Sequence, residues 1–108
     1  MELKSNMYVR TKHNGIKKVV ALYVDAIFTD NHIRIENKDI IKASYNIIDL
    51  IEVGDYVNGF RVIWKTTNAR EFGINAYYEE ERYINSEQDI KSIVTKEQFE
   101  SMSYKVGE

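Results

Sequence analysis

The chain contains no cysteine and no proline, and it has only two histidines and five glycines in 108 residues. Without cysteine there can be no disulfide and no thiolate metal ligand. A zinc site needs at least three protein ligands, and neither His13 nor His32 has a second ligand at helical spacing, so we expect no bound metal. Five scattered glycines do not build a phosphate-binding loop, so no cofactor is expected.

Long apolar runs are missing as well. The longest one, Val19–Val24, is far shorter than the roughly 20 residues that a membrane-spanning helix needs. Residues 1–6 lack the apolar centre of a secretory signal peptide. Together with the lack of cysteine, these features predict a cytoplasmic protein with no membrane partner.

The composition is that of a single folded domain. A chain of 108 residues with 44% hydrophobic and 30% charged residues predicts one domain, 1–108, with a core of its own. The net charge is −2, but residues 1–20 carry +4 and the other 88 residues carry −6. This balance argues against a dedicated nucleic-acid binder, although the basic beginning could face an acidic partner.

Alternating and β-branched residues predict two hairpins near the beginning of the chain. Met7–Lys12 alternates apolar and polar side chains, Asn14-Gly15 supplies a turn, and Ile16–Val24 returns as a strand. A second hairpin is predicted around Asp30-Asn31. Asn46 then predicts the cap of a single helical turn.

The second half of the chain shows the two sharpest local patterns. Asn58-Gly59 between apolar runs is a strong hairpin signal. Thr95 followed by Gln98 is a capping box, which predicts a helix to about Met102. Further strands are predicted at residues 39–42, 71–78, 83–84, 89–94 and 104–106, with an exposed acidic loop at 79–82. These elements predict a mostly β fold, either a small SH3-like barrel or a curled antiparallel sheet, with one short C-terminal helix.

No group of residues has the pattern of a catalytic site. Asp49, Glu52 and Asp55 are close in sequence, but they lie in a predicted turn where water reaches carboxylates. A catalytic carboxyl pair needs one member in an apolar pocket. No serine lies in a nucleophile motif. We therefore expect a protein that is not an enzyme.

Tyrosines beside carboxylates form the predicted protein-binding surface. It comprises Tyr77, Tyr78, Glu79, Glu80, Glu81 and Tyr83. Adjacent tyrosines in a strand point to opposite faces, so one of the first two is expected to be exposed. Exposed tyrosines anchor protein interfaces, and clustered carboxylates complement basic surfaces or imitate phosphates. By contrast, Phe60, Val62 and Trp64 are predicted to share a core face.

Two other binding functions stay open. The basic N-terminal hairpin could bind nucleic acid through Arg10, Lys12, Lys17 and Lys18, with an affinity that falls steeply with salt. Alternatively, the domain could sequester a small signalling nucleotide, which requires a deep pocket with converging polar groups. Exposed edge strands would also allow a homodimer.

Three stretches of the chain resemble one group of proteins. Met7–Lys12, Ile48–Gly59 and Asp89–Glu100 are similar to small, largely uncharacterised accessory proteins encoded by phages and prophages of clostridia and related Gram-positive bacteria. Members of this group begin near the position of Met7, so residues 1–6 are expected to be an N-terminal extension. The resemblance leaves out Tyr23–Ile35 and Trp64–Tyr83, which are expected to carry the individual function.

The resemblance implies a phage accessory protein in the cytoplasm of a host bacterium. Such small proteins often bind and disable a host protein, including defence nucleases such as CRISPR-Cas. The expected mechanism is occlusion, with tyrosines as anchors and the carboxylates of Glu79–Glu81 paired with basic residues of the target. A component of the virus particle is the alternative within this group.

Overall fold

The computed structural model describes residues 2–66, 70–75 and 81–102, which form ten strands and one short α-helix. The strands are β1 (Tyr8–Thr11), β2 (Ile16–Leu22), β3 (Ala26–Thr29), β4 (Arg34–Glu36), β5 (Ile40–Ser44), β6 (Tyr56–Val57), β7 (Phe60–Lys65), β8 (Phe72–Asn75), β9 (Glu81–Ile84) and β10 (Ile93–Val94). The helix α1 spans Lys96–Met102, and short 3-10 helices cover Asn37–Asp39, Ile47–Leu50 and Glu87–Asp89.

The strands form two antiparallel sheets. The first has the order β4-β3-β2-β1-β5, and the second has the order β10-β6-β7-β8-β9. The predicted mostly β fold with a short C-terminal helix is confirmed. In the described part of the chain the sheets are open, so the curled-sheet alternative holds and the barrel does not.

A bulge interrupts the register in the longest strand of each sheet. The pairing of β2 with β3 shifts between Val19 and Ala21, and the pairing of β7 with β8 shifts between Val62 and Trp64. A bulge bends its strand and increases the local twist. Each sheet can therefore curl around apolar side chains of its own.

Each sheet has its own hydrophobic core. In the first sheet, buried side chains of four strands meet: Val9, Val19, Ile27 and Ile35. The second sheet surrounds a larger cluster, formed by Ile48, Ile51, Val57, Val62, Phe72, Ile74 and Ile84. The predicted core face of β7 is confirmed at Val62, which is fully buried, and at Phe60, which packs against this cluster. Trp64 is only half-buried.

The predicted turns and caps form as expected. Gly15, Asn58 and Gly59 adopt φ values of 71°, 56° and 85°, the left-handed region that hairpin turns require. The capping box of α1 is complete. The Thr95 amide donates to Gln98 Oε1 at 3.1 Å, and the Gln98 amide donates to Thr95 Oγ1 at 3.2 Å.

Other predicted elements differ from the structure. Residues 79–82 were expected to form a loop, but β9 begins at Glu81, because its backbone pairs with Asn75 of β8. The extended segment predicted at 89–94 shortens to two residues, because Asp89 belongs to a 3-10 helix and the amides of Lys91 and Ser92 donate to Asn58 Oδ1 instead of to a neighbouring strand. The edge strand predicted at 104–106 lies outside the described residues, as do 76–78 of the strand predicted at 71–78.

A buried ion pair joins the two sheets. Arg10 on β1 and Asp55 just before β6 are both fully buried. The Arg10 guanidinium donates from Nη1 to Asp55 Oδ2 at 2.6 Å and from Nη2 to Asp55 Oδ1 at 2.7 Å. This bidentate geometry is the strongest form of the interaction.

Further hydrogen bonds connect this pair to the end of the 3-10 helix at Leu50, to the turn at Glu52 and to α1. Arg10 also donates to the Leu50 carbonyl at 2.8 Å and to Glu97 Oε2 on α1 at 2.5 Å. Asp55 accepts from the backbone amides of Glu52 and Lys96, at 2.7 and 2.9 Å. Burial lowers the pKa of Arg10, but the hydrogen bonds to Asp55 and Glu97 outweigh this effect and leave the pKa above its ordinary value.

Two sequence-based expectations need correction at this junction. Asp55 was expected to be exposed to water in a turn, but it is fully buried, because Arg10 and two amides replace its hydration. Asp49 and Glu52 do keep partial exposure. Arg10 was assigned to a basic nucleic-acid-binding face, and its buried side chain rules it out as a phosphate contact.

Replacing Arg10 by methionine should cost about 3–5 kcal/mol of unfolding free energy, because Asp55 would remain buried without its partner. Urea denaturation followed by the fluorescence of Trp64 measures this loss. The matched control is Arg34→Met, which removes an exposed ion pair to Asp25 at 3.5 Å and should change the unfolding free energy by no more than about 0.5 kcal/mol. Equal midpoints for the two variants would show that the junction does not hold the sheets together.

Candidate functional site

An aromatic pair lies across the outer face of the second sheet. Trp64 on β7 is paired with Gly73 on β8, and Gly73 is paired in turn with Tyr83 on β9. The rings of Trp64 and Tyr83 meet edge to face, with centroids 5.3 Å apart and an interplanar angle of 62°. Tyr83 is 63% exposed. We call Trp64, Gly73 and Tyr83 the aromatic platform.

Gly73 makes this geometry feasible. A Cβ atom at residue 73 would overlap the indole ring of Trp64, at Nε1 and Cε2. The indole therefore lies across the backbone of β8 and reaches Tyr83 on the far side. The register of β7, β8 and β9 brings together Trp64, Gly73 and Tyr83, which are not neighbours in the sequence.

The other residues of the predicted protein-binding surface have different outcomes. Tyr77, Tyr78, Glu79 and Glu80 lie outside the described residues. Glu81 is the first residue of β9, two positions before Tyr83. Tyr83 itself is exposed, as an interface residue must be. Sequence reasoning missed Trp64, because its alternation with Val62 predicted a shared core face and the bulge between them was not visible in the pattern.

A concave surface adjoins the aromatic platform. Tyr83 forms one side of an open cavity of about 440 Å³, which is also lined by Asn58, Arg82, Ile84, Asp89 and Lys91. Asn58 holds this rim together, since its side chain donates to the Asp89 carbonyl at 2.8 Å and accepts from the Lys91 amide at 2.6 Å. An exposed aromatic beside a pre-formed cavity can seat a side chain of a partner.

A second exposed apolar surface lies at the turn between β2 and β3. Leu22, Tyr23 and Val24 are 45%, 56% and 100% exposed. Tyr23 packs edge-on against Phe28 with centroids 5.4 Å apart. This turn lies on the first sheet, and it is a separate surface from the aromatic platform.

The predicted basic hairpin does not form one continuous patch. Arg10 is buried at the junction, whereas Lys12 is exposed beyond the end of β1. Lys17 and Lys18 are consecutive in β2, so their side chains leave opposite faces of the sheet. Lys18 lies 5.9 Å from the ring centroid of Tyr8, in cation–π geometry.

Tyr8 connects the first sheet to the segment after β9. Its hydroxyl donates to the carboxylate of Glu87. This hydrogen bond, together with burial and the negative charges of Glu87 and Asp30, raises the pKa of Tyr8 to about 12. A tyrosine at this position therefore serves to dock the segment that carries Glu87.

Comparisons with protein-family models, curated protein sequences and solved structures found no match to this chain. Within the described ranges, no three histidine, aspartate or glutamate side chains group as metal ligands would. None of the described helices has the length and apolar character needed to cross a membrane.

Substituting Gly73 by alanine should displace the indole of Trp64 and separate it from Tyr83. We expect the free energy of unfolding to fall by about 1–3 kcal/mol, as at other overpacked sites. The fluorescence emission of Trp64 should shift to the red, and the near-ultraviolet circular dichroism spectrum should change. Asn75→Ala, at an exposed position of the same strand, is the control and should change neither spectrum. Unchanged spectra in Gly73→Ala would contradict the described position of the indole.

The fold should hold the phenol of Tyr8 in its neutral form up to about pH 12. Because the folded pKa is above the unfolded value of about 10, the Tyr8–Glu87 contribution to stability is complete below pH 10 and is lost as the pH rises through 12. The difference between the phenolate absorbance titrations of the wild type and Tyr8→Phe isolates this group. In Glu87→Gln its pKa should fall. If this wild-type-minus-Tyr8→Phe difference has its midpoint near pH 10, the hydrogen bond between Tyr8 and Glu87 is contradicted.

Proposed function

We propose that this protein is a non-enzymatic binding domain that acts by covering a surface of another protein. The aromatic platform supports this proposal, because Tyr83 leaves 63% of its surface exposed while Trp64 fixes its ring from the side. A pre-positioned aromatic side chain loses little conformational entropy on binding. Tyrosine and tryptophan are also the residues that most often dominate binding energy at interfaces.

Charge indicates the chemistry of the partner. Residues 21–108 carry a net −6, and the run Glu79–Glu81 ends two positions before Tyr83, with Arg82 as the one cation between them. A partner with lysine or arginine around an aromatic-accepting pocket would complement this surface. We therefore propose a basic protein surface as the target, with Tyr83 as the anchor and the carboxylates as the surrounding charge.

The resemblance to phage and prophage accessory proteins supports a finer form of this proposal. A host defence nuclease, such as a CRISPR-Cas effector, has a basic groove for nucleic acid. Clustered carboxylates can occupy such a groove by imitating phosphates. In this form the protein is a phage-encoded inhibitor that blocks access of nucleic acid to the nuclease.

Tyr83→Ala should weaken partner binding by at least about tenfold, the loss expected for an interface anchor. Immobilised wild-type, Tyr83→Ala and Tyr45→Ala proteins are exposed to a clostridial host lysate, and the retained proteins are quantified by mass spectrometry. Tyr45 is the matched control, because it is 59% exposed and lies in a different part of the fold. The partner is a protein that the wild type and Tyr45→Ala retain and Tyr83→Ala loses, and its affinity is then measured by calorimetry.

Two further variants decide where the interface lies. Replacing Glu79, Glu80 and Glu81 by lysine should weaken binding of the purified partner without unfolding the domain. Added salt should weaken binding of the wild type, but it should strengthen binding of this variant because it screens the repulsion between like charges. Val24→Asp should leave the affinity unchanged. Loss of binding in Val24→Asp with full binding in Tyr83→Ala would move the interface to the turn between β2 and β3 and overturn the assignment.

A further inference from the structure

Three cationic side chains meet at Asp49, one from the strand before it and two from 16 and 21 residues after it. Lys42 of β5 donates from Nζ to the Asp49 carbonyl oxygen at 3.1 Å, and Lys65 of β7 donates to the same oxygen at 3.0 Å. A single oxygen atom therefore separates the two ammonium groups. Arg70 donates from Nε to Asp49 Oδ1 at 3.1 Å.

The charges in this cluster do not balance. The carboxylate of Asp49 is paired with Arg70, and its second oxygen accepts from the Ser44 hydroxyl at 2.7 Å. The two lysines share a neutral carbonyl oxygen. Among the described residues, no carboxylate lies within ion-pair distance of either ammonium. One carboxylate against three cations leaves a local excess of +2.

The neighbouring carboxylates are already engaged. Asp55 is paired with Arg10 in the buried junction, and Glu52 is paired with Lys96 at 2.9 Å. They attract Lys65 from a distance, yet burial of Lys65 and the charge of Lys42 together lower the pKa of Lys65. The ammonium of Lys65 therefore lies in a half-buried position that an additional negative charge would stabilise.

The cluster is also separate from the aromatic platform. Lys65 is paired with Phe72, whose side chain is in the core, whereas Trp64 is paired with Gly73. Consecutive side chains leave opposite faces of a strand, so Lys65 and Trp64 serve different surfaces. A ligand at the lysines would not cover Tyr83.

We propose that Lys42, Lys65 and Arg70 form a binding site for a phosphoryl group of a small phosphorylated molecule. Each lysine ammonium has three donors and uses one of them on the Asp49 carbonyl, and the Arg70 guanidinium has donors beyond Nε. The two ammonium groups meet at the Asp49 carbonyl oxygen and the guanidinium lies at the carboxylate of the same residue, with a local excess of two positive charges. A doubly charged tetrahedral oxyanion matches both features, whereas a nucleic-acid backbone offers single charges spaced along a groove.

Nuclear magnetic resonance titration of the 15N-labelled full chain tests this site. The probes are inorganic phosphate, inorganic pyrophosphate and an oligothymidylate, with sodium chloride at matched ionic strength as the reference. We expect phosphate and pyrophosphate to shift the backbone amides of Lys42, Asp49 and Lys65, with pyrophosphate binding more tightly. The oligothymidylate should shift them less at the same phosphate concentration.

Glutamine variants provide the matched comparison. Lys42→Gln and Lys65→Gln should each weaken pyrophosphate binding by about tenfold or more, as expected for one charge-assisted hydrogen bond. Lys91→Gln should not, although Lys91 is also a lysine that donates to a backbone carbonyl, that of Gln88 at 3.2 Å. Tyr83→Ala should keep pyrophosphate binding, which separates this test from that of the protein interface.

Three results would overturn the proposal. The first is that sodium chloride alone reproduces the shifts, and the second is that Lys91→Gln weakens pyrophosphate as much as the other two variants. The third is that the oligothymidylate binds more tightly than pyrophosphate, with shifts that extend to Lys17 and Lys18. That last outcome would assign the lysines to a nucleic-acid surface.

Discussion

The buried pair of Arg10 and Asp55 is the interaction on which the arrangement of this molecule depends. Most buried apolar side chains of each sheet belong to a cluster of that sheet, and Ile16 of β2 also packs against the cluster of the second sheet. Apolar contacts are non-directional, so this contact by itself does not specify one relative position of the sheets. Arg10 belongs to the first sheet, and its partners Asp55, Leu50 and Glu97 belong to the segments around the second. Charge-assisted hydrogen bonds have a strict geometry, so they specify one relative position of the sheets.

The same junction also stabilises the short helix α1. A helix of seven residues is too short to be stable in isolation. The Asp55 carboxylate accepts from its first amide, Glu97 pairs with Arg10, and Gln98 closes the capping box. Gln98 also packs over Gly15, where a Cβ atom would overlap its carboxamide. Tertiary contacts therefore hold a helix that local propensity would not.

The two proposed surfaces follow from the way the second sheet divides its side chains. Its inner face is filled by aliphatic residues and Phe72, which leaves Trp64 and Tyr83 for the outer face. The bulge in β7 changes the alternation after Val62, so that Lys65 turns towards Asp49 while Trp64 lies across Gly73. One local irregularity thus supports both an aromatic surface and a cationic site on different sides of the same strand.

Local chemistry allowed the turns and caps to be predicted from the sequence. Asn58-Gly59 tolerates positive φ, Asn46 accepts from the Ile48 amide, and Thr95 with Gln98 forms a capping box. Each of these depends on residues within four positions of one another. The aromatic platform and the cluster at Asp49 could not be predicted, because they join residues from distant strands, and a bulge shifts the face on which a side chain lies.

The sequence by itself therefore determined the class of fold, the hairpins and the caps. Only the tertiary structure decided that Arg10 and Asp55 are buried together and that Lys42, Lys65 and Arg70 meet at one aspartate. The physical reason is that a charged residue has the same local pattern whether it faces water or a partner. Its environment is set by strand register and by the packing of segments that are far apart along the chain.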